Sequence, residues 1–211
     1  MEVSREMAGL LLRLGAVSID VEQPFRYASG IVSPIYCDNR LIISHPAERG
    51  QVVDRLVERL DAEVGRAAFD VVAGTATAGI PWAAWVADRL GKPMIYVRST
   101  PKEHGKGQRI EGHLPPGQRT VVVEDLVTTG GSSLSTVEAI REAGGSVEAC
   151  LAIFTYELPM ARQSFEARGV RLLALTGLSA LLEVAAAEGY LAPEQRATVE
   201  QAIARAFEDR A

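Results

Sequence analysis

The chain has 211 residues, 47% hydrophobic and 23% charged; this suits one α/β domain with a substantial core, spanning 1–211, and excludes the disordered classes. A formal net charge of −5 argues against a nucleic-acid partner held by bulk electrostatics, so any polyanion must be met by a local field. Cys37 and Cys150 match no metal or disulfide framework, no run reaches the ~20 apolar residues of a bilayer-crossing helix, and the acidic N-terminus is no signal peptide, so a cytoplasmic protein with no membrane partner is expected.

Met7, Leu10, Leu11 and Leu14 fall at helical spacing behind Ser4, a capping residue type, and Gly15 supplies a stop; an amphipathic lid or interface helix is predicted there. Residues 24–40 mix prolines, turn formers and the aromatics Phe25, Tyr27 and Tyr36 without a period. Two readings stand side by side: a hairpin over one end of a sheet, or aromatic faces that sandwich a flat ring. Pro46 opens a helix whose stripe of Val52, Val53, Leu56, Leu60 and Val64 runs to Gly65. A buried strand at 69–73 leads into Gly74-Thr75-Ala76-Thr77-Ala78-Gly79, a small-residue loop before a helix from Pro81 to Gly91. That loop is either a resting place for a pyrophosphate or only a close-packed turn. Trp82 and Trp85, three apart, suit core or dimer packing, and a short strand follows at 94–97.

Arg98, Lys102, Lys106 and Arg109 then stand against one carboxylate, Glu103, on a glycine-bearing, apolar-poor stretch. Such a concentration in an acidic chain predicts a flexible cationic loop over 98–117 that closes on an anion. Thr120-Val121-Val122-Val123 reads as a strand buried on both faces. Glu124 and Asp125 form an acidic tip, the loop through Thr128, Thr129, Gly130, Gly131 and Ser132 is small and hydroxyl-rich, and apolar positions switch to helical spacing at Leu134, Val137 and Ile140. Glycines admit backbone N–H groups to a phosphate, hydroxyls add donors, and the helix start adds its positive dipole end. Carboxylates repel phosphate but suit sugar hydroxyls or the waters of Mg²⁺. Acidic pair plus cradle therefore fits a ribose 5-phosphate. Strands at 147–154 and 170–175 and helices at 159–168, 178–189 and 193–207 complete a doubly wound, mostly parallel sheet of about five strands with flanking helices and a small N-terminal hood at 1–45.

The segment from Val121 to Ser132 resembles the phosphoribosyl-pyrophosphate signature of type I phosphoribosyltransferases. With Phe25-Arg26-Tyr27-Ala28-Ser29-Gly30, Ser33-Pro34-Ile35-Tyr36-Cys37-Asp38-Asn39-Arg40 and Phe154-Thr155-Tyr156-Glu157-Leu158, nearly the whole chain looks like the orotate phosphoribosyltransferase family. The resemblance implies transfer of ribose 5-phosphate from phosphoribosyl pyrophosphate (PRPP) to N1 of orotate, with Mg²⁺ held mainly through substrate and water, in a homodimer whose sites are shared across the interface. It implies that Arg98, Lys102 and His104 hold the pyrophosphate, that Glu124 and Asp125 bind the ribose hydroxyls, and that Leu126, Val127, Thr128, Thr129, Gly130, Gly131 and Ser132 line the 5′-phosphate site. Thr128, Tyr36 and Cys37 would meet orotate, and Lys102, His104, Glu124 and Asp125 would carry catalysis.

The chain departs from some members by having Ala28, Ala78, Ser99 and Thr100 where lysines occur, and Tyr156 where an arginine binds the orotate carboxylate; Arg40 is a substitute for that partner. Two rivals compete: an enzyme of the same fold using a purine base, and a non-catalytic PRPP sensor, which would need a DNA-binding module.

Overall fold

The computed structural model describes residues 1–27, 30–100 and 109–208. Helix α1 (Glu2–Arg13) leads into the short strands β1 (Val17–Ile19), β2 (Phe25–Arg26), β3 (Val32–Ser33) and β4 (Ile35–Cys37), then a 3₁₀ turn (Asn39–Ser44) and α2 (Pro46–Glu63). There follow β5 (Val71–Thr75), α3 (Gly79–Leu90), β6 (Met94–Val97), β7 (Ile110–Glu111), β8 (Arg119–Val127) and α4 (Gly131–Glu142). The chain ends with β9 (Ser146–Thr155), α5 (Pro159–Ala167), β10 (Arg171–Gly177), α6 (Leu178–Ala187) and α7 (Arg196–Glu208).

The main sheet has the order β10-β9-β8-β5-β6-β7. Five strands are parallel, as the apolar runs of Val71–Ala73, Val121–Val123 and Ala149–Phe154 require when helices cover both faces. The sixth, β7, pairs antiparallel to β6 through Tyr96↔Glu111 and Val97↔Ile110. It exceeds the expected five because two residues flanked by charge and glycine carry no strand period. The chain runs from β5 outward to β6, then returns to the other side of β5 as β8. The strand order therefore reverses between β5 and β8, where an open α/β sheet forms its binding crevice.

The N-terminal helix is not a lid. Met7, Ala8, Leu10, Leu11 and Leu12 are buried, and α1 lies against α6 and β10. Four apolar side chains at consecutive and fourth positions give a face broad enough for the core, not a narrow docking stripe. Ser4 is not its cap either: it lies inside the helix, and its hydroxyl donates to Thr176 Oγ1 at 3.2 Å. Helix α3 starts at Gly79, two residues before Pro81, and Trp82 on it is fully buried in edge-to-face contact with Trp85 at 5.3 Å. Trp85 also carries the Arg49 guanidinium over its face at 4.7 Å.

The hood consists of two antiparallel ribbons, β1 with β4 and β2 with β3. Its 3₁₀ turn is pinned to the main sheet by Asn39, whose side-chain amide donates to the Asp125 carbonyl at 2.7 Å. The hood therefore covers the carboxyl end of β8.

Candidate active site

Strand β8 runs through the acidic pair, past the boundary expected from composition, because Glu124 keeps a ladder partner in Ala152 and Leu126 one in Phe154. Glu124 is 5% exposed and its two oxygens are engaged: Oε1 accepts from the Asp125 amide at 3.1 Å and Oε2 from the Ser133 hydroxyl at 3.3 Å. Burial pushes the Glu124 carboxyl well above the usual carboxylate range, and the Asp125 charge pushes it further. Burial also lifts Asp125. Asp125 is the less buried of the two.

Beyond Val127 the chain turns through Thr128 and Thr129 into Gly130, at φ 87°. That left-handed conformation favours glycine, and a Cβ there would also meet the Phe165 ring at 2.8 Å. The turn delivers the N-terminus of the twelve-residue α4, with Gly131 and Ser132 exposed at its first turn. The free N–H groups of a helix start, together with the neighbouring hydroxyls, make an anion cradle. Val127 belongs to the wall behind it: its side chain is 1% exposed and its carbonyl accepts from the Tyr156 amide at 3.1 Å.

The second small-residue loop lies beside the first, since β5 pairs with β8 through Gly74↔Val123. A Cβ on Gly79 would meet the Val123 carbonyl at 2.5 Å and the Glu124 Cα at 3.3 Å. The loop is a close-packed turn set against the end of β8. Thr75, 4% exposed at the end of β5, keeps a buried hydroxyl with no partner among the described residues.

Over this floor stands an aromatic group. The Tyr36 ring, 41% exposed, touches Phe25 at 5.8 Å and Tyr27 at 5.9 Å. The Tyr27 hydroxyl donates to the Ile35 carbonyl at 2.5 Å and lies 2.8 Å from the Tyr156 hydroxyl. Tyr156 is 2% exposed and packs edge-to-face on Phe154 at 5.3 Å and against Phe207 of α7 at 5.7 Å. Burial, then the neighbouring Tyr27, pushes its phenol far above the ordinary range. Cys37 is free and half-buried; its Sγ lies 3.4 Å from Asn39 Oδ1, and burial, then the Asp125 charge, pushes the thiol up. The first expectation for residues 24–40 holds: the segment forms short antiparallel ribbons at the end of the sheet, and these carry the aromatic rings.

Arg98 follows β6 and pairs with Glu111 at 3.7 Å. Arg109 donates Nε to the Arg98 carbonyl at 3.0 Å and Nη2 to the Ser135 hydroxyl on α4 at 2.9 Å. The two ends of the cationic segment are thus tied to each other and to the cradle helix. Lys102, His104 and Lys106, together with Ala28, lie outside the described residues.

The structure brings Glu124, Asp125, Thr128, Thr129, Gly130, Gly131, Ser132, Tyr36 and Cys37 to one end of the sheet. Sequence reasoning missed the contacts of Ser133 and Asn39. Ser133 had a readable signal, a hydroxyl on the first helical turn facing back to the acidic tip; Asn39 had none, since its bond to the Asp125 carbonyl joins residues 86 apart. Among the described residues no cluster of three His, Cys, Asp or Glu could cage a metal. Two adjacent carboxyl groups beside an anion cradle fit instead a hard, hydrated divalent cation that keeps its waters and shares ligands with a phosphorylated substrate.

Comparison with known proteins agrees with this geometry. Residues 42–165 match the family described as "Phosphoribosyl transferase domain". The chain is 50% identical over 191 residues to an orotate phosphoribosyltransferase of Coxiella burnetii, covering 90% of each. It resembles the crystal structure of orotate phosphoribosyltransferase from Aeropyrum pernix with TM-score 0.73 and 35% identity, over 84% of this chain and 96% of that one. The Mycobacterium tuberculosis enzyme in complex with PRPP matches with TM-score 0.64 and 30% identity, over 85% and 98%.

Proposed function

The chain belongs to the orotate phosphoribosyltransferases, and from that premise we propose which of its residues perform each part of the reaction. The enzyme is a pentosyltransferase of pyrimidine biosynthesis: ribose 5-phosphate passes from PRPP to N1 of orotate, giving orotidine 5′-phosphate and pyrophosphate. In this reading the amides and hydroxyls from Thr128 to Ser132 hold the 5′-phosphate. Asp125 accepts from the ribose hydroxyls, with Glu124 bracing its backbone. The pyrophosphate rests against the Thr75-to-Gly79 loop and is met by Arg98, Lys102 and His104. Tyr36, Cys37 and Thr128 contact orotate. Mg²⁺, which the acidic pair at Glu124 and Asp125 would hold through its waters together with the substrate, would supply charge neutralisation of the leaving group.

Breaking the C1′–O bond leaves positive charge on the ribose and negative charge on pyrophosphate. The protein's task is then to stabilise an anion and exclude water. The cationic side chains Arg98, Lys102 and His104 do the first, and the aromatic hood does the second. His104 is a binder, since a pyrophosphate already neutralised needs little acid help.

The observation that carries this reading is the acidic tip of β8 standing between an anion cradle and an exposed aromatic face at the reversal of strand order. We place residues 1–211 in one domain and the enzyme in the cytoplasm as a homodimer; two free cysteines and no described helix long and apolar enough to cross a membrane support the placement. The test is direct: purified protein with orotate, PRPP and Mg²⁺ lowers the orotate absorbance, and omission of any component abolishes the change. Turnover of adenine or xanthine in place of orotate would overturn it.

A further inference from the structure

Orotate carries a carboxylate that a neutral pyrimidine lacks, and an anion brought under an aromatic hood needs a cation or several donors to replace its water. Tyr156 is closed to it. The single proton of Tyr27 goes to the Ile35 carbonyl, so the Tyr156 proton goes to the Tyr27 oxygen, and neither phenol has a proton left for an anion. Two arginines lie on the hood between residues 17 and 44, Arg26 and Arg40. Arg26 follows Phe25 on β2 and precedes Tyr27, and both of those rings pack on Tyr36. Alternation along the strand turns Arg26 to the opposite side.

The geometry points to Arg40 as the residue that binds the carboxylate of the pyrimidine acceptor and so selects orotate over neutral bases. This rests on the reading of the site as an orotate site. Asn39 fastens the preceding position to the Asp125 carbonyl at 2.7 Å, so the start of the 3₁₀ turn is held at the acidic tip of β8. Asp38 accepts from the Arg40 backbone amide at 3.2 Å and from its Nε at 2.7 Å, which fixes the plane of the guanidinium. Its two terminal nitrogens have no acceptor among the described residues, leaving four N–H donors in the fork that suits a carboxylate. After Asp38, the carboxylate that acts on Arg40 is that of Asp125, the residue assigned to the ribose. The Asp38 pair is 62% exposed on the arginine side and contributes little to stability, so its loss leaves the fold intact.

The test uses the full chain with PRPP and Mg²⁺. Arg40→Ala raises the KM for orotate about tenfold or more while the KM for PRPP stays within about twofold, and inhibition by uracil, which has no carboxylate, is unchanged. Arg40→Lys falls between, because one ammonium cannot replace a fork. An orotate KM unmoved in Arg40→Ala, or a PRPP KM that rises with it, overturns the assignment while wild-type turnover of orotate stands. Absence of orotate turnover in the wild type overturns the parent reading and this inference together.

Discussion

The floor of the cleft and the hood above it are built by different means. The floor is backbone: the ends of two paired strands, a left-handed glycine and the start of a helix, all specified within 74–79 and 124–133. The hood is side chains: Tyr27, Ile35, Tyr156 and Phe207 are joined by two hydroxyl contacts and a ring contact, and the furthest pair in that series is 180 residues apart. In the proposed reading a backbone cradle meets phosphate groups, which are common to PRPP-using enzymes, whereas an assembly of side chains can be retuned for one base. Substitutions in the floor should therefore change the response to PRPP, and substitutions in the hood the response to orotate.

Lys102 belongs to neither region and should show the largest effect. Lys102→Ala is expected to lower kcat about a hundredfold or more, as removal of a charge-stabilising group does, with the unfolding midpoint nearly unchanged. Near-normal turnover would remove Lys102 from the leaving-group site.

Gly79→Ala probes the floor. The new Cβ would sit 2.5 Å from the Val123 carbonyl, and relief requires backbone movement costing about 1–3 kcal/mol, or roughly 2–4 °C of melting temperature for each kcal/mol. Calorimetry and a PRPP titration should both register it; a variant that melts like the wild type would mean that the two loops are not in contact.

Glu124→Gln should separate stability from binding. Because the folded-state pKa of Glu124 is raised, the folded chain binds more protons than the unfolded chain between the two values, and stability falls as pH rises through that window. Glutamine has no such window, so its melting temperature should exceed that of wild type by a margin that widens with pH, about 1 kcal/mol at the alkaline end, while the KM for PRPP rises. Parallel curves for the two proteins would show that the buried carboxyl carries no strain.

Tyr156→Phe is the mildest. It keeps both ring contacts and removes one hydroxyl bond, a loss of about 1 kcal/mol. The orotate KM should rise a few-fold with the PRPP KM unmoved. Equal changes in both would dissolve the distinction between floor and hood.

The same contrast explains what the sequence disclosed. Glu124 to Ser132 was legible because these residues lie together in the sequence, and a continuous apolar run gives way to helical spacing across them. The alternation of strands and helices gave the parallel sheet for the same reason. Helix α1 was read as a lid or interface helix because its apolar face says that it is covered but not by what; α6 and β10, which cover it, lie more than 150 residues away. The role of Tyr156 was hidden in the same manner. Its hydroxyl is defined by Tyr27 across 129 residues, and no local pattern encodes that meeting. The paired carboxyl groups were legible as chemistry, but their unequal exposure was not.

Gly79 ties the spacing of two loops to the sheet itself. With the first turn of α3 resting against the Val123 carbonyl, the loops after β5 and β8 are set apart by paired strands, and neither shifts without moving the sheet's interior. In the proposed assignment, pyrophosphate on one loop and 5′-phosphate on the other, the sheet would act as a fixed caliper for the span between the two phosphate groups of the sugar.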